Sequence, residues 1–145
     1  MSKSNTFEND LLKLIFNNTG MALVGDATGL PPSAAAGNLY VSFHTADPGE
    51  TGNQSTNEVA YTGYARAAVP RSAAGWTVTN DTVNPTANVN TGACTAGTTS
   101  ITHFGIGCSS SGAGKLLYKG PVTPTIAVSA GVTPELTTGT TIIED

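Results

Sequence analysis

Leu39 to His44 alternates strictly, with Leu39, Val41 and Phe43 facing one way and Tyr40, Ser42 and His44 the other. A two-residue period of this kind predicts a strand with one buried face. Ala46-Asp47-Pro48-Gly49 stops it, because proline presets a turn and cannot donate to a ladder, and glycine accepts a positive φ. Glu50 to Asn57 contains no apolar residue and is expected as a long exposed loop. Val59, Tyr61 and the run Tyr64 to Val69 then predict a second strand, and the stretch closes on Gly75-Trp76, with Trp76 as a core residue. The alternation returns at Ser100 to Cys108, with Thr102, Phe104, Ile106 and Cys108 on one face and Ile101 and His103 on the other. Gly105 and Gly107 inside that strand point to a close backbone approach or a bulge. Leu116 to Lys119 reads as the returning strand of a hairpin; Pro121 and Pro124 mark a sheet edge; Thr125–Ser129 and Thr140–Glu144 complete the strands.

A helical period occurs once, over residues 5–16. Phe7, Leu11, Leu14 and Ile15 follow it, and Leu12 and Phe16 widen the stripe. Asn5 is the expected N-cap, with Glu8 reaching back to it, and Gly20 the expected left-handed C-cap. Such a helix either lies on a sheet to complete the core or docks its apolar face on a neighbouring subunit. Met21 to Gly37 is a Gly/Pro/Ala-rich connector without periodicity, in which Pro31-Pro32 favours an extended path. About eight short strands at near-regular spacing predict an all-β protein, a single β-sandwich or jelly-roll-like domain with one N-terminal α-helix. The expected division is a helical arm over 1–20 and the sandwich over 21–145.

Composition sharpens this picture in one respect. Of the 145 residues only 11% are charged, against about 25% in an average soluble domain. Thr, Ser, Ala, Gly and Asn take their place, giving a polar surface with little repulsion between copies. The net charge is −4 and the six basic residues are scattered, so no basic stripe addresses phosphates and no nucleic-acid partner is expected. No stretch reads as a signal peptide or a membrane span, and no membrane partner is expected.

Little in the sequence calls for catalysis. His44 and His103 are the only histidines; a metal site needs three or four converging ligands, so neither is expected to ligate, and His44 is instead expected to bond the Asp47 corner. Ser42, His44 and Asp47 do not form a triad, since no nucleophile elbow surrounds any serine. Ser109 to Leu116 resembles a phosphate loop until its ends are read: position 109 is Ser and position 116 is Leu, so it is a hairpin loop. A hairpin over residues 87–108 would hold Cys94 and Cys108 too far apart for a disulfide, and both thiols are expected free and buried. The expectation is a protein with no cofactor, no metal and no enzymatic activity. A carbohydrate-binding or carbohydrate-active β-sandwich is the alternative from another class, and it would need exposed aromatics and two suitably spaced carboxylates.

Three segments carry a resemblance: Thr6 to Phe16, the stretch Leu39 to Trp76, and His103 to Gly120 (HFGIGCSSSGAGKLLYKG). Their specific blocks are His44-Thr45-Ala46-Asp47-Pro48-Gly49 and Tyr61-Thr62-Gly63-Tyr64-Ala65-Arg66. Taken together they resemble a family of small tailed-bacteriophage virion proteins, whose members are described as tail-fibre-like or as capsid decoration (cement) proteins. The resemblance implies a structural protein made in the host bacterial cytoplasm and placed in the virion, with no catalytic residues. Because long fibres show repeats or heptads and none is present, the capsid surface is the expected location. A decoration protein there bridges capsomers of the major capsid protein and forms a homodimer or homotrimer; a tail-fibre or tail-tip protein for host attachment is the alternative. The contact residues this predicts are Phe7, Leu11 and Ile15 on the helix and Asp47, Pro48, Glu50, Asn53 and Glu58 around the corner loop.

Overall fold

A computed structural model describes residues 2–144. One helix and nine strands run through the described residues in the order α1 (Asn5–Asn17), β1 (Asn38–His44), β2 (Ala67–Pro70), β3 (Trp76–Thr79), β4 (Thr82–Pro85), β5 (Val89–Asn90), β6 (Thr99–Gly107), β7 (Leu116–Val128), β8 (Glu135–Leu136) and β9 (Ile142–Ile143). The fold class is the expected one, all-β and sandwich-like with a single N-terminal helix, and the paired strands with a defined register are antiparallel. The sheets have the orders β2-β1-β6-β7, β3-β4-β9 and β5-β8. The chain forms two compact units, Met1–Asn38 with Pro70–Ala87 and Thr137–Asp145, and Leu39–Val69 with Asn88–Leu136.

In the first unit α1 packs on β3 and β4. Its cap is Ser4 and not Asn5: the Ser4 hydroxyl accepts from the Phe7 amide at 3.5 Å, one residue earlier than expected. At the other end Asn18, with φ 52°, takes the left-handed position expected for Gly20, since asparagine also tolerates that region. The buried row is Glu8, Leu12 and Phe16, a strict four-residue spacing rotated from the expected stripe. Leu12 and Phe16 were expected only to widen that stripe, yet they face the core. Trp76 is the centre of this unit, fully buried with its ring edge-on to Phe16 at 4.9 Å. Arg71 fastens the end of α1, donating to the carbonyls of Leu14 and Ile15, both at 2.7 Å, and to that of Ala36 at 3.2 Å.

In the second unit β1 lies between β2 and β6. Phe43 pairs opposite Phe104 and His44 opposite His103. Leu39, Val41 and Phe43 are buried as expected, but Ser42 and His44 are buried too. A central strand covered on both faces loses the alternation that a half-exposed strand shows. Gly105 accounts for the closeness here: a Cβ on it would stand 2.8 Å from His44 Nε2 and 2.9 Å from Ser42 Oγ. The second expected strand is shorter than its apolar pattern, since only Ala67–Pro70 is regular and residues 59–66 are irregular apart from a turn at Gly63 and a single bridge from Thr62 to Ala96. β7 runs through both prolines, which its place at the sheet edge permits.

The two cysteines are not placed as the expected hairpin would place them. β5 pairs with β8 and not with β6, so residues 87–108 are not a hairpin. Both cysteines are free, as expected, and Cys94 is buried, but Cys108 is exposed. It sits just past the end of β6, where the strand has left the core.

Candidate interaction surface

Asp47-Pro48-Gly49 makes the expected corner after β1, Asp47 Oδ1 accepting from the Gly49 amide at 2.9 Å. Lys119 on β7 closes over it, 3.0 Å from Asp47 Oδ1 and 3.1 Å from Glu50 Oε1. The Gly49 amide first, then Lys119, hold the Asp47 carboxyl below its ordinary range. Asp47 and Glu50 in turn hold the Lys119 ammonium above its own. Both partners face water, so screening leaves this clamp little weight in stability; its effect is to fix the direction of the corner.

The loop that follows is polar but not wholly exposed. Gln54 is fully buried: its side-chain oxygen accepts from the Ser109 amide at 2.9 Å, and its own amide donates to the Gly114 carbonyl at 2.9 Å. The corner loop is thereby bonded to the β6–β7 loop. His44 pins it from below, and its partner is the Thr56 carbonyl, 2.8 Å from Nδ1, and not the Asp47 corner. A carbonyl only accepts, so Nδ1 carries the proton and Nε2 accepts from the Ser42 hydroxyl at 2.9 Å. Ser42 and His44 thus share the local geometry of a nucleophile and its base, but both are fully buried and no substrate reaches them.

Behind the loop lies a cluster that reading for catalytic motifs did not single out. Arg66 holds Glu58 with two bonds of 2.7 Å and reaches the carbonyls of Ser109 at 3.0 Å and Gly112 at 2.7 Å. Tyr64 gives its hydroxyl proton to Glu58 at 2.7 Å. Burial, then the bond to Glu58, push the Tyr64 phenol far above its ordinary range, and Glu58 raises Arg66 further. The available signal was the spacing of Glu58 and Arg66, eight apart, in a chain poor in charge.

The eight predicted contact residues fall into different surroundings. Phe7 is exposed, and Leu11 and Ile15 are half-buried, all in the first unit. In the second unit Asp47 and Glu50 are exposed and Asn53 is half-buried, its side-chain oxygen bonded to the Ser55 amide. Pro48 is buried, and Glu58 turns inward to Arg66. Beside Glu58 is a shallow, open depression of about 560 Å³, lined in part by Val59, Tyr61, Thr62, Tyr64 and Ala96. Its tyrosine hydroxyls are occupied by Thr91, Gly92 and Glu58, and Trp76, the sole tryptophan, is buried elsewhere. Among the described residues no group of three His, Cys, Asp or Glu side chains is arranged to hold a metal.

His44 gives the surface a testable pH dependence. Burial lowers its pKa, more than Thr56 and Glu58 raise it, and Arg66 and His103 lower it further. The unfolded chain protonates His44 near its ordinary value, about 6.5, while the folded chain does so only at lower pH. Between those values the unfolded state binds more protons, so stability falls as pH falls from about 6.5. The urea midpoint should drop on acidification from neutral, and His44→Gln should flatten that part of the profile. An unchanged slope in the variant would place its source elsewhere.

A family model described as podophage GP4 fiber I protein gp80 matches residues 2–144. No curated protein matches the chain.

Proposed function

The chain belongs to the podophage GP4 fiber I protein gp80 family, a family of bacteriophage virion proteins, and from that premise we propose that it is a non-catalytic structural part of the fibre apparatus. The observation that carries this reading is the extent of the match, which runs through both compact units without interruption. The chemistry of the fold supports it. The groups a catalyst would expose are turned to internal use: Ser42 and His44 bond each other and the loop, and Glu58 is held by Arg66 and Tyr64. What remains outside is a clamped corner, a polar loop and a few apolar side chains, which is material for packing against other subunits.

The capsid decoration reading keeps one point in its favour, the absence of repeats or heptads typical of long fibres. Copy number separates the two. A fibre component follows the symmetry of the tail, so quantitative gels of purified particles should give on the order of a dozen copies, and immunogold should label the tail. Hundreds of copies with label over the head would overturn the fibre reading and place the protein on the major capsid protein.

A further inference from the structure

Among the described residues β7 is the longest strand, thirteen residues, and no strand lies beyond it in the sheet β2-β1-β6-β7. A long edge of this kind presents a row of backbone N–H and C=O groups on which another chain can pair. Composition sharpens the hazard. Only 11% of the residues are charged, so little repulsion keeps copies apart. The other edge of the sheet, β2, is held to four residues and ends on Pro70, which leaves a partner little to pair with. β7 has no such protection in its length.

Its register against β6 is broken instead. Residues 118–121 pair in step with Ile106 back to His103, and residues 126–128 with Ile101 back to Thr99. Between these runs the four residues 122–125 stand opposite Thr102 alone. A bulge of that size bends the strand and interrupts its row of backbone groups. A smaller shift leaves Leu117 without an opposite residue, between Leu116 on Gly107 and Tyr118 on Ile106. The regular runs that remain are four and three residues long, short of the about five to six usual for a paired strand. Pro121 closes the first run and Pro124 lies in the bulge, and neither has an N–H to offer a partner. Pro121, Thr123, Pro124 and Thr125 are all exposed, so their side chains do not serve the core.

We propose that the bulge at residues 122–125, with Pro121 and Pro124, keeps the β7 edge of one copy from pairing with the β7 edge of another. A straight β7 would pair with β6 along its whole length, so the interruption gives up ladder bonds within the chain. It adds no buried side chain in return, and its effect is a closed edge. A strand that meets its own copy antiparallel does so about a two-fold axis, and such a contact closes at a pair. Without the bulge, two of these sheets could run on into one through main-chain groups that carry no sequence information. With it, contacts between copies are left to side chains. The inference goes beyond the fibre reading and holds equally for a protein on the head.

Two variants of the full chain test it. In the first, deleting residues 123–125 and changing Pro121→Thr brings Val122 opposite Thr102 and makes a regular run from Tyr118 to Val128. In the second, Pro121→Thr with Pro124→Thr keeps the length and restores two N–H groups at exposed positions. Light scattering coupled to size exclusion should show the mass of each variant climbing towards twice that of the wild type as concentration rises, the deletion at lower concentration. Hydrogen exchange read by mass spectrometry should show new protection across residues 116–128 in the same samples, lost on dilution. Far-UV circular dichroism and the urea midpoint establish that each variant is folded; if the deletion is not, the proline pair decides alone. Folded variants that keep the wild-type mass at every concentration would overturn the proposal, as would association that brings no protection to β7. Gold label over the head would sink the fibre reading alone and leave this result standing.

Discussion

Trp76→Ala should cost about 3 to 5 kcal/mol of unfolding free energy, the range for deleting a fully buried large aromatic. The ring has no exposure and meets Phe16 edge-on, so its loss leaves a cavity between α1 and the β3-β4-β9 sheet. Trp76→Phe supplies the informative contrast. The indole Nε1 is buried with no hydrogen-bond partner among the described residues, and an unmatched buried donor costs roughly 1 to 3 kcal/mol. Phenylalanine removes that donor while keeping most of the apolar ring, so the two effects oppose and the variant should lie much closer to wild type than to alanine. Urea unfolding followed by far-UV circular dichroism measures both. A Phe variant as damaged as the Ala variant would mean that Nε1 has a partner after all.

Arg66→Met should be strongly destabilising in the second unit. The guanidinium is 2% exposed and donates to Glu58, Ser55, Ser109 and Gly112. Removing it strands a carboxylate that is only 17% exposed. Breaking a buried pair from one side costs about 3 to 5 kcal/mol, because the remaining charge is left without compensation. The residual exposure of Glu58 puts the expectation at the lower end. Arg66→Met combined with Glu58→Leu should recover much of the loss, since two apolar side chains of similar size no longer leave a charge behind. If the double variant is as unstable as the sum of the singles, the damage comes from the severed bonds to Ser109 and Gly112 and not from the charge.

Both expectations concern residues the sequence treats unequally. Trp76 was legible as core because a lone tryptophan closes a patterned stretch. Arg66 was not, because arginine is usually at the surface and nothing local says that this one is buried. His44 lies between these cases. Its position on β1 and its pinning of the loop were readable, but its partner is the carbonyl of Thr56, and a backbone carbonyl leaves no mark in the sequence. Gln54 was hidden for a similar reason: in a run of polar residues, the one that turns inward is chosen by the β6–β7 loop it bonds.

By itself the sequence determined the all-β class, the single helix, the corner at Asp47, and the burial of Leu39, Val41 and Phe43 on β1, but not the faces of β6, where Ile101 is fully buried and Cys108 exposed, the reverse of the expected alternation. These follow from periods of 2 and 3.6 and from turn chemistry, which act over a few neighbouring residues. Tertiary structure alone decided that β5 pairs with β8, that both faces of β1 are covered, that Glu58 turns inward to Arg66, and that Leu23 is held out in water. Each of these depends on a partner distant in the chain or on a loop closed around its own backbone. Local pattern fixes what a segment prefers to bury, but not what it meets.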